Sequence, residues 1–165
     1  MKFNKIFFIL FFTCISSLTY SQNNASVKPV LNAYFGLKDA LVASNKEQAI
    51  FSANSLVKAL AAVNASDLNT STNDIWVKLD SELKNSSSAI ASSNDISVQR
   101  DYFISLSTNM HTLIKVAKFE VPVYYQFCPM ANKGKGANWL SLENKIKNPY
   151  YGSMMLSCGK VVETL

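Results

Sequence analysis

Soft sulfur donors recur near the end of this 165-residue chain. Cys128 and Met130 stand two residues apart, and Met154 and Met155 lie four and three residues before Cys158. Thiolate and thioether ligands favour Cu(I), and by the same softness Ag(I), over hard ions such as Mg or Ca. The same two cysteines could instead form a disulfide closing a loop of about 30 residues, worth ~3 to 4 kcal/mol. The two readings are compatible as states of one site, because a dithiol that holds metal when reduced can oxidise in place. Met130, Met154 and Met155 also carry a packing reading, since methionine commonly fills gaps in apolar cores.

His111 is the only histidine and follows Met110 at the edge of an apolar stripe. It reads either as a polar boundary residue or as one more ligand for the sulfur site. A cysteine nucleophile with His111 as its base would need a third group to orient the imidazole, and no residue pattern marks one. Phosphate-cradling glycine loops, a nucleophile elbow, a zinc-protease helix and paired catalytic carboxylates are all missing from the sequence. Catalysis is therefore the class with the least support, and the expectation is a protein that is not an enzyme.

The elements that must position these residues fall into two unlike parts. Val27, Leu31, Tyr34, Leu37 and Leu41 recur at steps of three and four, as an amphipathic helix requires. Lys46 to Val63 repeats the pattern through Ala49, Ala53, Leu56, Val57 and Leu60, with Ser44 and Glu47 spaced as a capping box. A third helix is expected from near Asn73, carrying Ile75, Trp76, Leu79 and Leu83, with fraying or a loop in the Ser/Asn-rich stretch 85–94. The fourth carries the most regular stripe, Phe103, Leu106, Met110, Leu113 and Ala117. The expectation is a mainly α fold: an antiparallel bundle of about four helices with a small C-terminal two-strand and loop element.

That second element begins after Lys118. Val121 to Phe127 suits a short edge strand with Pro122 near its start, and Lys160 to Leu165 suits another. Between them Gly134 and Gly136 predict a flexible loop, and Trp139 and Leu140 an anchor returning to the core. Antiparallel pairing of the two strands would join their inner ends and so bring Cys128 beside Cys158. Tyr124, Tyr125, Trp139, Tyr150 and Tyr151 concentrate here, either as glue between this segment and the bundle or as a recognition surface.

At the other end, Lys2 and Lys5, the apolar run Ile6 to Leu18, and the small Thr19 and Ser21 read as a cleavable secretory leader over residues 1–21. The apolar run is too short to span a bilayer, so no stable membrane insertion is expected after cleavage. Cys14 leaves with the leader, and Thr13 and Ile15 around it argue against a lipid anchor. About 144 residues remain, enough for a single domain over 22–165 made of a helical part, 22–118, and a Cys/Met segment, 119–165. Removing Lys2 and Lys5 lowers the basic count from 16 to 14 against 11 acids. With Lys133, Lys135, Lys145 and Lys147 as the only local cluster, that charge is too dilute for a nucleic-acid partner.

The string Val123-Tyr124-Tyr125-Gln126-Phe127-Cys128-Pro129-Met130-Ala131 is followed by Gly134 to Ser141, Ile146 to Gly152, Met155 and Cys158-Gly159. Together these resemble a family of exported bacterial domains of unknown function, found alone or fused to the periplasmic adaptor subunits of heavy-metal efflux pumps. Looser similarity extends to Ala40-Leu41-Val42 and Phe103 to Ser107. The resemblance implies a periplasmic (or secreted) location. It also implies a link to copper-type metals, with an efflux adaptor or another periplasmic metal protein as the partner.

Overall fold

The protein is described over residues 24–165 by a computed structural model. The leader assigned to residues 1–21 lies outside the described residues. Four helices, α1 (Lys28–Val42), α2 (Lys46–Ala61), α3 (Thr70–Ser92) and α4 (Ile96–Ala117), precede three strands, β1 (Tyr124–Cys128), β2 (Ala137–Ser141) and β3 (Lys160–Thr164). The fold is mainly α, as the apolar periodicity requires. Among the described residues no helix is long and apolar enough to cross a membrane.

Consecutive helices pack in sequence, α1 on α2, α2 on α3 and α3 on α4. The stripes point inward: Leu31, Tyr34, Leu37 and Leu41 of α1 and Phe103, Leu106, Met110, Leu113 and Ala117 of α4 are all buried. α2 offers Ala49, Ala53, Leu56 and Leu60 to the same core, while Val57 is only partly buried. Its cap differs from the expected box. Asn45 is the N-cap and accepts from the Gln48 N–H at 2.9 Å, whereas Ser44 sits in the left-handed region at φ 54 and turns its hydroxyl to Arg100.

The expected break near residues 85–94 does not occur. α3 starts at Thr70, capped by the Asn69 side chain, and continues to Ser92. Serine weakens an isolated helix because its hydroxyl competes for backbone groups, but here packing outweighs that cost. Ser86, Ser87 and Ile90 are buried, the Ser87 hydroxyl bonds back to the Leu83 carbonyl at 2.7 Å, and Ser86 meets Ser105 of α4 at 3.2 Å. Small side chains at this seam let the two longest helices run side by side.

The sheet has three strands rather than two, in the order β2-β1-β3, antiparallel throughout. β1 is therefore central and not an edge. Pro122, which could not donate to a ladder on both sides, lies before the strand begins at Tyr124. Trp139 and Leu140, expected as an anchor in a loop, are the middle of β2, and both are fully buried. β2 lies against α4, so the sheet and the helices share one core. Tyr34 of α1 ties the two parts together: its hydroxyl accepts from the Leu140 N–H at 3.0 Å and meets the Ser107 hydroxyl at 2.8 Å.

Candidate functional site

The β1–β3 pairing places Phe127 opposite Lys160. One residue past Phe127 and two before Lys160, Cys128 and Cys158 meet with their sulfurs 2.7 Å apart. Both are free thiols, Cys128 fully buried and Cys158 partly exposed. The antiparallel pairing expected from the two strand-like runs thus delivers the two cysteines to one point.

Two residues with no chemistry of their own make that approach possible. Gly159 has φ +142, and a Cβ there would stand 2.8 Å from the Phe127 carbonyl and 3.0 Å from the Trp139 ring. Any side chain would push the Cys158 turn off β1. Asn148, fully buried, holds the turn from the other side. Its Nδ2 donates to the Cys158 carbonyl at 3.0 Å, its backbone N–H to the Leu156 carbonyl at 2.9 Å, and its Oδ1 accepts from the Tyr150 N–H at 2.8 Å. No motif marks Asn148 in the sequence; a buried side-chain amide with two such bonds, and its backbone N–H in a third, is visible only once the loop is closed. Asn148→Ala leaves the Tyr150 N–H and the Cys158 carbonyl without partners, and is expected to cost about 1 to 3 kcal/mol. Chemical denaturation checks this, together with a faster reaction of Cys158 with a thiol reagent as its turn loosens.

The thiol chemistry follows from the contact. The hydrogen bond with Cys128 pushes the Cys158 thiol above its ordinary value, loss of hydration and charge repulsion from Cys128 add to this, and the Met130 backbone N–H pulls the other way. Cys158 consequently stays protonated through neutral pH unless a cation takes the proton's place.

The other sulfur residues lie at the surface rather than filling the core. Met130, Met154 and Met155 are 51%, 74% and 40% exposed, so the gap-filling reading fails for all three. Met155 accepts from the Cys158 N–H at 3.0 Å through its carbonyl, one tight turn away. Met154 lines a cavity against α4, whereas Cys158 lines a separate shallow opening with Phe127, Pro129, Gly159 and Lys160. Among the described residues no group of three or more His, Cys, Asp or Glu converges.

His111 belongs to a different cluster. Its ring stacks on Tyr125 at 3.7 Å, and its Nε2 lies 2.8 Å from Glu163, which also holds Lys115 at 2.7 Å. Lys115 first, then His111, keep the Glu163 carboxyl below its usual range. This group fastens β3 to α4 near the Tyr125 end of β1, away from Cys128 at the strand's other end. The aromatic residues divide likewise: Trp139 and Tyr150 are buried as glue, with Tyr150 donating to the Asn138 carbonyl, while Tyr151 is partly exposed and donates to the Met130 carbonyl at 2.7 Å.

No curated protein and no solved structure matches the chain at a significant level. Residues 30–120 match the model of the family described as Protein of unknown function (DUF3347). The match runs from α1 to just past α4 and ends ahead of β1, so the sulfur motif lies beyond it. The chain belongs to that family of unknown function, and its helical part is what places it there.

Proposed function

We propose that the protein is an exported module that holds or hands on a soft monovalent cation, Cu(I) or Ag(I), through Cys128 and Cys158. What carries the reading is the meeting of two free thiols at 2.7 Å from segments 30 residues apart, with three exposed thioethers on the same turns. The residue types fit the cargo, since sulfur donors select such ions over hard ones. The spacing fits after one movement. At a three-coordinate ion, metal–thiolate bonds of about 2.3 Å put the two sulfurs roughly 4.0 Å apart. Cys158, the more exposed partner, would swing outward by about an ångström while buried Cys128 stays fixed. Met130, next but one to Cys128, is the nearest thioether in sequence to complete the shell; Met155 is the alternative. An exported location and an efflux adaptor as partner accord with the resemblance of the Cys/Met string.

A second reading is favoured by the same contact: at 2.7 Å the sulfurs are closer than a shared ion allows, and an oxidising compartment would join them as a disulfide. The two readings separate in one experiment. Reduced protein titrated against a chromogenic Cu(I) chelator is expected to take up one ion. The apparent affinity should rise at least about tenfold per pH unit near neutrality, because Cys158 must release its proton. Met130→Leu, which keeps the volume and removes the sulfur, is expected to weaken binding without unfolding the protein. Unchanged affinity in the Cys128→Ser, Cys158→Ser double variant would leave only the disulfide.

A further inference from the structure

Arg100 is a charge held in place by neutral groups alone. Its Nε donates to the Pro149 carbonyl at 2.8 Å, and its Nη2 donates to the Leu41 carbonyl at 3.1 Å and the Ser44 hydroxyl at 2.9 Å. Among the described residues it has no carboxylate partner, and Nη1 has no partner at all. A half-buried guanidinium without a counter-ion is costly, and burial indeed pulls its proton affinity below the ordinary value. The three oxygens come from α1, the α1–α2 turn and the loop after Asn148, so the side chain cannot simply swing into solvent. The packing around it is tight: Gly152, at φ +57, would place a Cβ 2.4 Å from the Ser44 hydroxyl and 3.0 Å from Arg100 Nη2.

Arg100 also lines a cavity of about 220 Å³ between one face of α4 and the two C-terminal loops. Ile104, Tyr151 and Met154 make its walls mostly apolar, and exposed Lys133 and Asp101 stand at its rim. From these residues the geometry points to a binding site for a small monocarboxylate with an apolar body, its carboxylate on Arg100 and its body against Tyr151, Ile104 and Met154. With Nε and both Nη2 hydrogens engaged, Nη1 is the nitrogen left to donate charge-assisted hydrogen bonds to the carboxylate. Asp101 offsets Lys133, so the local charge is about that of one cation. That balance suits a monoanion and disfavours a phosphate dianion. The site is separate from the cysteine pair and does not depend on metal binding.

N-acetyl-phenylalanine and its uncharged methyl ester form the direct test, followed by ¹H–¹⁵N NMR on the whole chain at low salt. The acid is expected to give saturable shifts at the Arg100 Nε–H and the Ala131, Asn132 and Lys133 amides, with a Kd below about 1 mM, and the ester to bind at least tenfold more weakly. Two rim substitutions at exposed positions leave Arg100 in place and read the charge. Asp101→Asn should tighten the acid about threefold and Lys133→Glu should weaken it about threefold, as single charges at a solvated rim do. Equal binding of acid and ester, no saturation up to about 10 mM, or no response to either substitution would each overturn the proposal.

Discussion

Replacing Trp139 by alanine is expected to be the most damaging single truncation in the chain, at about 3 to 5 kcal/mol. The indole is fully buried in the middle of β2, paired in register with Gln126 of the central strand. Tyr150 packs edge-on against it at 5.9 Å, and its ring approaches the backbone of Gly159. Removing it opens a cavity where the sheet, α4 and the Cys158 turn meet, so loss of stability and loosening of the cysteine pair should appear together. Trp139→Phe separates volume from polarity. Among the described residues the indole Nε1–H is buried without a partner, and deleting such a group recovers part of what the lost volume costs. The phenylalanine variant is therefore expected to lose less than half as much in chemical denaturation. Equal losses in the two variants would mean that Nε1–H is satisfied, for instance by water.

Leu106→Ala comes next, at roughly 2 to 5 kcal/mol. Leu106 is fully buried at the centre of the α4 stripe, between Phe103 and Met110. That stripe faces both the helices and β2, and Phe103 beside it stacks on Tyr34 at 5.2 Å. The cavity lies in the bundle, away from the cysteines. Thermal and denaturant midpoints should fall while the reactivity of the thiols under native conditions stays the same. A loss under about 0.5 kcal/mol would put α4 on the wrong face.

What could be read from the chain and what could not divide along a physical line. Helix stripes are local: three- and four-residue spacing alone marks Leu31 to Leu41 and Phe103 to Ala117 as inward faces, and all of those stripe residues are buried. The meeting of Cys128 and Cys158 was legible too, because antiparallel pairing relates two strand ends by a simple rule. Features that depend on long-range packing were not. β2 was hidden because Gly134 and Gly136 next to it speak locally for a loop, and its burial comes from α4, far away in sequence. The last two turns of α3 were hidden because serine is a poor helix former in isolation, and its small size counts only once α4 lies alongside. Arg100 and Asn148 carry no motif. Their partners, Leu41, Ser44 and Pro149 for the first and Cys158, Leu156 and Tyr150 for the second, come from turns whose shape exists only in the closed fold.

The family match and the proposed chemistry occupy different halves of this picture. Residues 30–120 supply the helical frame, and the sulfur residues sit on the small sheet and loops that the frame supports. Substitutions in the sulfur segment at exposed Met130 or Met155 should thus alter metal handling with little effect on stability.

X-ray absorption at the copper K edge, on reduced protein loaded with one equivalent of Cu(I), tests that central claim most directly. The account predicts a first shell of sulfur only, two or three atoms at roughly 2.3 Å, falling apart in the Cys128→Ser, Cys158→Ser variant. A shell dominated by nitrogen or oxygen, or a sulfur shell that survives loss of both cysteines, would contradict it.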